Sequence, residues 1–113
     1  ALSSLFRPSV QPYLMSWLNI DPIDAEKGLS PLMVLQGDHD LQVGLEDARR
    51  LANVSRAIRL VVLPGVNHVL KIAPAERAAN LATYADPQLA LAPDVIPAIV
   101  NFIEHPPQFV LKR

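Results

Sequence analysis

The sequence contains no cysteine, so no disulfide can staple it and no thiolate can hold a metal, although the redox compartment stays open. It also lacks an excess of either charge. Ten Lys and Arg against eleven Asp and Glu leave a formal charge of −1, which gives no electrostatic reason to expect nucleic acid or an anionic membrane as a partner. No apolar run approaches the ~20 residues that span a bilayer. The first residues, Ala1-Leu2-Ser3-Ser4-Leu5-Phe6, have neither the basic flank nor the long apolar stretch of a secretory leader, which points to a cytoplasmic chain. The missing initiator methionine fits processing, or a start partway through a larger protein. Three histidines, His39, His68 and His105, show none of the short spacings of zinc ligands, and neither a metal nor a cofactor is expected.

What is present reads as one domain with a modest core. The chain has 113 residues, half of them apolar and 19% charged, a globular composition. Val10, Leu14, Trp17 and Leu18 recur at helical spacing, with Ser9 placed to cap and Pro12 in the tolerant first turn. Asp21-Pro22 looks like a second helix start, closed by Gly28. Two apolar runs read as buried strands, at 31–36 and 58–63. Between them a helix from Leu45 to Asn53 places Glu46 and Asp47 first and Arg49 and Arg50 last, the order its dipole favours. Strand, helix, strand makes a βαβ unit with parallel strands. Pro74 to Ala85 suggests a further helix, 86–93 an irregular connection, and Val95, Ile96, Ile99, Val100 and Ile103 a last helix after Asp94, stopped by Pro106-Pro107. Neither strand alternates apolar with polar, so both faces of each expect cover. Two strands and a few helices leave a sheet edge open, which invites pairing. The chain calls for more sheet than it owns.

Each apolar run ends in a glycine turn. Gly37-Asp38-His39-Asp40 follows the first and Gly65-Val66-Asn67-His68 the second. Such turns hold their side chains at the carboxyl edge of the sheet, where open α/β sheets do their chemistry. That edge therefore offers an acid and, 68 − 40 = 28 residues later, an imidazole. Simpler roles exist for each alone: Asp40 as the cap of the helix near Leu45, His68 as an ordinary loop histidine. Their order at successive strand ends favours a joint role. Asp38 is the competing acid and is expected to bond its local turn. His39 is expected to be exposed, His105 to be a helix end, Trp17 to pack in a core or lid, and 71–93 to be a plain connection rather than a substrate entrance.

The segment Pro31 to Val43, a helix, and then Leu60 to His68 resembles the last third of the α/β-hydrolase fold. In that family the penultimate core strand ends in a Gly-x-x-Asp turn with the triad acid, and the last strand in a Gly-x-x-His turn with the triad histidine. The resemblance implies Asp40 as the acid and His68 as the base, in the family's order of nucleophile, acid, histidine. It implies a C-terminal part of an α/β-hydrolase-type parallel sheet: 1–30 as a lid or helical lead-in, 31–68 as the βαβ core, 69–113 as the C-terminal helical part. The departure is large, since there is no Gly-x-Ser-x-Gly elbow and no His-Gly-Gly oxyanion segment. The resemblance thus implies the C-terminal segment of an esterase-like serine hydrolase acting on a small acyl substrate. Its partner would be the missing N-terminal hydrolase half, and the chain alone would be inactive. Two alternatives stand beside it. One is a non-catalytic module that pairs its open sheet with a copy of itself as a homodimer. The other is a relative with an aspartate nucleophile, like dehalogenases and epoxide hydrolases.

Overall fold

The computed structural model describes residues 7–26 and 31–107. A 3₁₀ turn at Pro8–Val10 runs into helix α1, Gln11–Leu18. Ser9 lies inside that turn, and no side chain caps α1, because the 3₁₀ turn moves the helix start past the serine. Helix α2, Pro22–Glu26, begins as its sequence suggests: Asp21 Oδ1 accepts the Ile23 N–H at 2.9 Å, with proline at the first helical position, where its missing donor costs nothing. The stop expected at Gly28 lies outside the described residues.

Strand β1, Leu32–Gly37, and strand β2, Ile58–Leu63, form a two-stranded parallel sheet. Leu32 lies opposite Ile58 and Gly37 opposite Leu63. The crossover contains α3, Leu45–Ala52, which packs on both strands and buries Ala48. A length of eight residues is short for a helix to hold by propensity alone, so packing of this amphipathic face stabilises it. Its ion pairs, Arg49–Glu46 at 3.6 Å and Arg50–Asp47 at 3.8 Å, sit on exposed side chains and add little.

After β2 the chain forms α4, Arg77–Ala82, and α5, Val95–Glu104. α4 is shorter than the expected 74–85 because Glu76 caps it, its carboxylate accepting the N–H groups of Ala78 and Ala79 at 2.9 and 2.8 Å. The connection at 86–93 is irregular, as expected. Leu63, Val66, Ala92 and Val95 form the buried centre, with Leu35, Val61, Leu70 and Ile99 packed around them. Leu35, Val61 and Leu63 lie on one sheet face, and Val95 and Ile99 of α5 pack with them. Arg59 extends the contact, donating to the His105 carbonyl at 2.9 Å and lying over the Phe102 ring. His105 is the helix-end residue its position suggests.

Cover is incomplete elsewhere. The apolar residues Leu32 to Leu35 are only partly buried and Val62 is exposed, short of the two-sided burial expected of such runs. The outer stripe of α5, Ile96, Val100 and Ile103, is exposed as well. Trp17 is 60% exposed and meets the Tyr13 ring at 5.0 Å; of the core or lid packing expected of it, the core is corrected, since α1 has no buried residue at all. Among the described residues no helix is long and apolar enough to cross a membrane.

Candidate functional site

The two glycine turns at the carboxyl ends of β1 and β2 are stitched into one body. The Asp38 N–H donates to the Leu63 carbonyl at 3.2 Å, and the His39 N–H donates to the Val66 carbonyl at 3.0 Å. Asp38 Oδ1 accepts the Gly65 N–H at 2.6 Å. Asp38 was expected to serve its own turn; instead it ties that turn to the next strand end. Gly37 makes this approach possible, because a Cβ there would lie 2.0 Å from the Val66 carbonyl oxygen. Gly65 has a different reason to be glycine. Its φ of +69° lies in the left-handed region, with open space around the position a Cβ would take.

The structure brings Asp40 and His68 together: His68 Nδ1 lies 2.9 Å from Asp40 Oδ2. The Asp40 side chain is 7% exposed and that of His68 39%. Asp40 Oδ1 accepts the N–H groups of Gln42 and Val43 at 2.7 and 3.0 Å, and Oδ2 accepts from Gln36 Nε2 at 3.1 Å as well as from the imidazole. All four acceptor sites of the carboxylate are therefore used. Burial pushes this carboxyl up. The N–H groups of Val43 and Gln42, then the His68 and Gln36 side chains, outweigh that and hold it below its ordinary value. Asp40 is thus an anion at neutral pH and can only accept, so His68 Nδ1 is the donor and Nε2 is the ring position left to accept a proton. Asp40 does not cap α3, which is preceded by Gly44; its backbone bonds close the turn before it.

His68 rides on a loop with its own support. Gly65 to Ala73 fold back on themselves, with Val66 bridged to Ile72 and the Ala73 N–H donating to the Gly65 carbonyl at 2.9 Å. Leu70 takes a left-handed φ of 60° within this loop. Beneath it Asn67, Asn80 and Thr83 are buried. Asn67 Nδ2 donates to Thr83 Oγ1 at 2.7 Å and to Asn80 Oδ1 at 3.3 Å, while its Oδ1 accepts the Lys71 N–H at 3.1 Å. Asn80 Nδ2 donates to the His39 and Pro74 carbonyls, both at 2.9 Å. Polar side chains at this depth are tolerated only when bonded, and these are.

Sequence reasoning missed Gln36 and the Asn67–Asn80–Thr83 network. Gln36 stands at the end of an apolar strand run and Asn67 directly before His68, so a polar residue inside each apolar or turn context was the available sign. His39 is also corrected. It is half-buried rather than exposed, with Nδ1 2.7 Å from the Ala73 carbonyl, because the loop after β2 folds over it. Among the described residues no group of three His, Cys, Asp or Glu side chains could hold a metal.

A cleft of about 270 Å³ lies beside the Asp40 turn, between α2 and α3, lined by Pro22, Ile23, Val43 and Leu51 with Asp21, Asp47 and Arg50 around them. Comparison with protein-family models, curated proteins and solved structures returned no match.

Proposed function

We propose that this chain supplies the acid–histidine half of a hydrolytic site of the α/β-hydrolase type, with the nucleophile on residues outside it. The observation that carries the reading is the 2.9 Å bond between Asp40 Oδ2 and His68 Nδ1 at the ends of two adjacent parallel strands. A buried, fully bonded carboxylate orients an imidazole whose other nitrogen is the one available to take a proton.

In the complete site a serine hydroxyl attacks the carbonyl carbon of a small acyl substrate while His68 Nε2 accepts the hydroxyl proton. His68 then delivers that proton to the departing alcohol, leaving an acyl-enzyme. A water attacks in turn, giving a proton to His68, which passes it to the departing serine oxygen as the acyl bond breaks and the acid leaves. Asp40 stays ionised throughout and stabilises the imidazolium. The partly covered sheet and the exposed apolar residues on α1 and α5 support a larger body around this unit.

The intact mass of the endogenous protein tests this reading. A species of about 250–300 residues with Gly-x-Ser-x-Gly upstream, whose ester hydrolysis is lost in Asp40→Asn and His68→Ala, is the expected outcome. A 12.4 kDa species without a partner chain overturns it. The same exposed stripe of Ile96, Val100 and Ile103 favours, as the second reading, a module that pairs with its own copy. An aspartate at the upstream elbow would instead place the chain with a covalent alkyl- or ester-intermediate hydrolase.

A further inference from the structure

Gln36 is a buried amide, 7% exposed, next to the last residue of β1 and preceded there only by leucine, methionine and valine. An apolar side chain would pack there with no polar group to satisfy, so its presence needs a cause. Its Nε2 lies 3.1 Å from Asp40 Oδ2, 3.0 Å from the Val43 carbonyl and 3.0 Å from the Gly37 carbonyl. Val43 in turn donates its N–H to Asp40 Oδ1. Amide, carboxylate and Val43 peptide therefore form a closed ring around the acid.

The carboxylate torsion of an aspartate is broad and weakly held by itself. Oδ1 is pinned by two backbone N–H groups, but Oδ2 would otherwise meet only the imidazole, whose side chain is 39% exposed. Asp38, the nearest other acid in the turn, is engaged with the Gly65 N–H and provides no such anchor. Gln36 is the second fixed point, and it shares one oxygen with His68.

Resting on the Asp40–His68 pairing proposed above, we infer that Gln36 is a positioning residue that aims Asp40 Oδ2 at His68 Nδ1 and thereby holds the ring with its proton on Nδ1. A role confined to closing the turn would need only the Val43 and Gly37 carbonyls, and would leave the charge and aim of Asp40 alone.

The test is Gln36→Met in the full-length protein, which keeps the side-chain length and removes the donor. Long-range ¹H–¹⁵N spectra read the His68 tautomer, and the ¹³C shift of the Asp40 carboxyl reads its titration. The expected result is an upward move of the Asp40 midpoint together with a fall in the Nδ1–H form of His68. Gln36→Leu also removes the donor, with a more compact side chain and no added charge, and carries the test if Gln36→Met does not fold. If the variant that folds leaves both signals as in the parent while Asp40→Asn still shifts the His68 proton to Nε2, the Gln36 role is overturned and the pair stands. If Asp40→Asn leaves the His68 tautomer unchanged, the pair itself is overturned, and the Gln36 role with it.

Discussion

Replacing Gly37 with alanine isolates the contact that joins the two strand ends. In an extended strand the change should ordinarily help by about 0.4–1 kcal/mol, since alanine has less unfolded-state freedom to lose. Here the added Cβ would stand 2.0 Å from the Val66 carbonyl oxygen and 2.5 Å from its carbon. Both are backbone atoms and cannot rotate away, so the turns must separate. Overpacking of this kind costs about 1–3 kcal/mol, and more where no side chain can give. Separation also weakens the bonds from the Asp38 and His39 N–H groups to Leu63 and Val66, each worth about 0.5–1.5 kcal/mol. The expected loss is about 2–6 kcal/mol, a large share of the ~5–15 kcal/mol that holds a domain together.

Gly65→Ala is the internal control. There the φ of +69° disfavours alanine, but nothing lies within 4 Å of the new Cβ, so the cost is the left-handed strain alone, about 1–2 kcal/mol. Urea unfolding of the two variants, followed by tryptophan-independent far-UV signal, gives both numbers. Equal destabilisation by the two substitutions, or a Gly37→Ala variant within 1 kcal/mol of the parent, would refute the close approach of the turns. A Gly37→Ala chain that remains folded should also lose the His68–Asp40 bond, seen as a change in the His68 ring nitrogen shifts.

Asp40→Asn keeps an oxygen for the Gln42 and Val43 N–H groups but turns an N–H₂ toward His68, so the ring must accept and carry its proton on Nε2; if the proposed hydrolytic site holds, the same tautomer error should cost on the order of 10⁴ in turnover. Because the folded Asp40 carboxyl sits below its ordinary value, the unfolded chain takes up the proton first as pH falls. The stability it contributes is therefore present above about pH 4 and lost below, and unfolding curves of parent and Asp40→Asn from pH 7 to 3 should converge only in acid. Asn67→Leu strands the buried groups of Asn80, Thr83 and the Lys71 N–H and should cost about 2–4 kcal/mol; a double-mutant cycle with Thr83→Val should give a coupling of at least ~0.5 kcal/mol, and additivity would refute the network. Glu76→Ala removes the cap of α4 and should lower amide protection at Ala78 and Ala79, a difference that fades in acid because the capping carboxyl of Glu76, held low by the Ala78 and Ala79 N–H groups, is then protonated.

How far the sequence could be read depended on whether a feature is local. β1, β2 and α3 were legible because each has a one-dimensional pattern: an apolar run closed by glycine, or acid-first, base-last amphipathic spacing. Asp40 and His68 were legible as a pair because the parallel βαβ order forces consecutive strand ends to the same edge. Their 2.9 Å separation adds turn shape to register: Gly37 lies opposite Leu63, and the bonds of Asp38 and His39 to Leu63, Gly65 and Val66 join the two turns. What stayed hidden depends on contacts between segments distant along the chain. Asn80 is buried because the His39 and Pro74 carbonyls converge on it, and no spacing within 74–85 announces that. His39 looked like a solvent residue because alternation past the strand aims it away from Asp40, yet the loop closing at Ala73 covers it. Trp17 fails in the opposite sense. Its stripe with Val10, Leu14 and Leu18 has the periodicity of a buried helix face, but pattern specifies only that a face is apolar, and the body that would bury it has to be supplied. A helix of that pattern left uncovered, in a chain whose strand residue Val62 is also exposed, is the physical argument behind the proposal that the nucleophile lies outside these residues: one neighbouring body would both cover these faces and complete the proposed site.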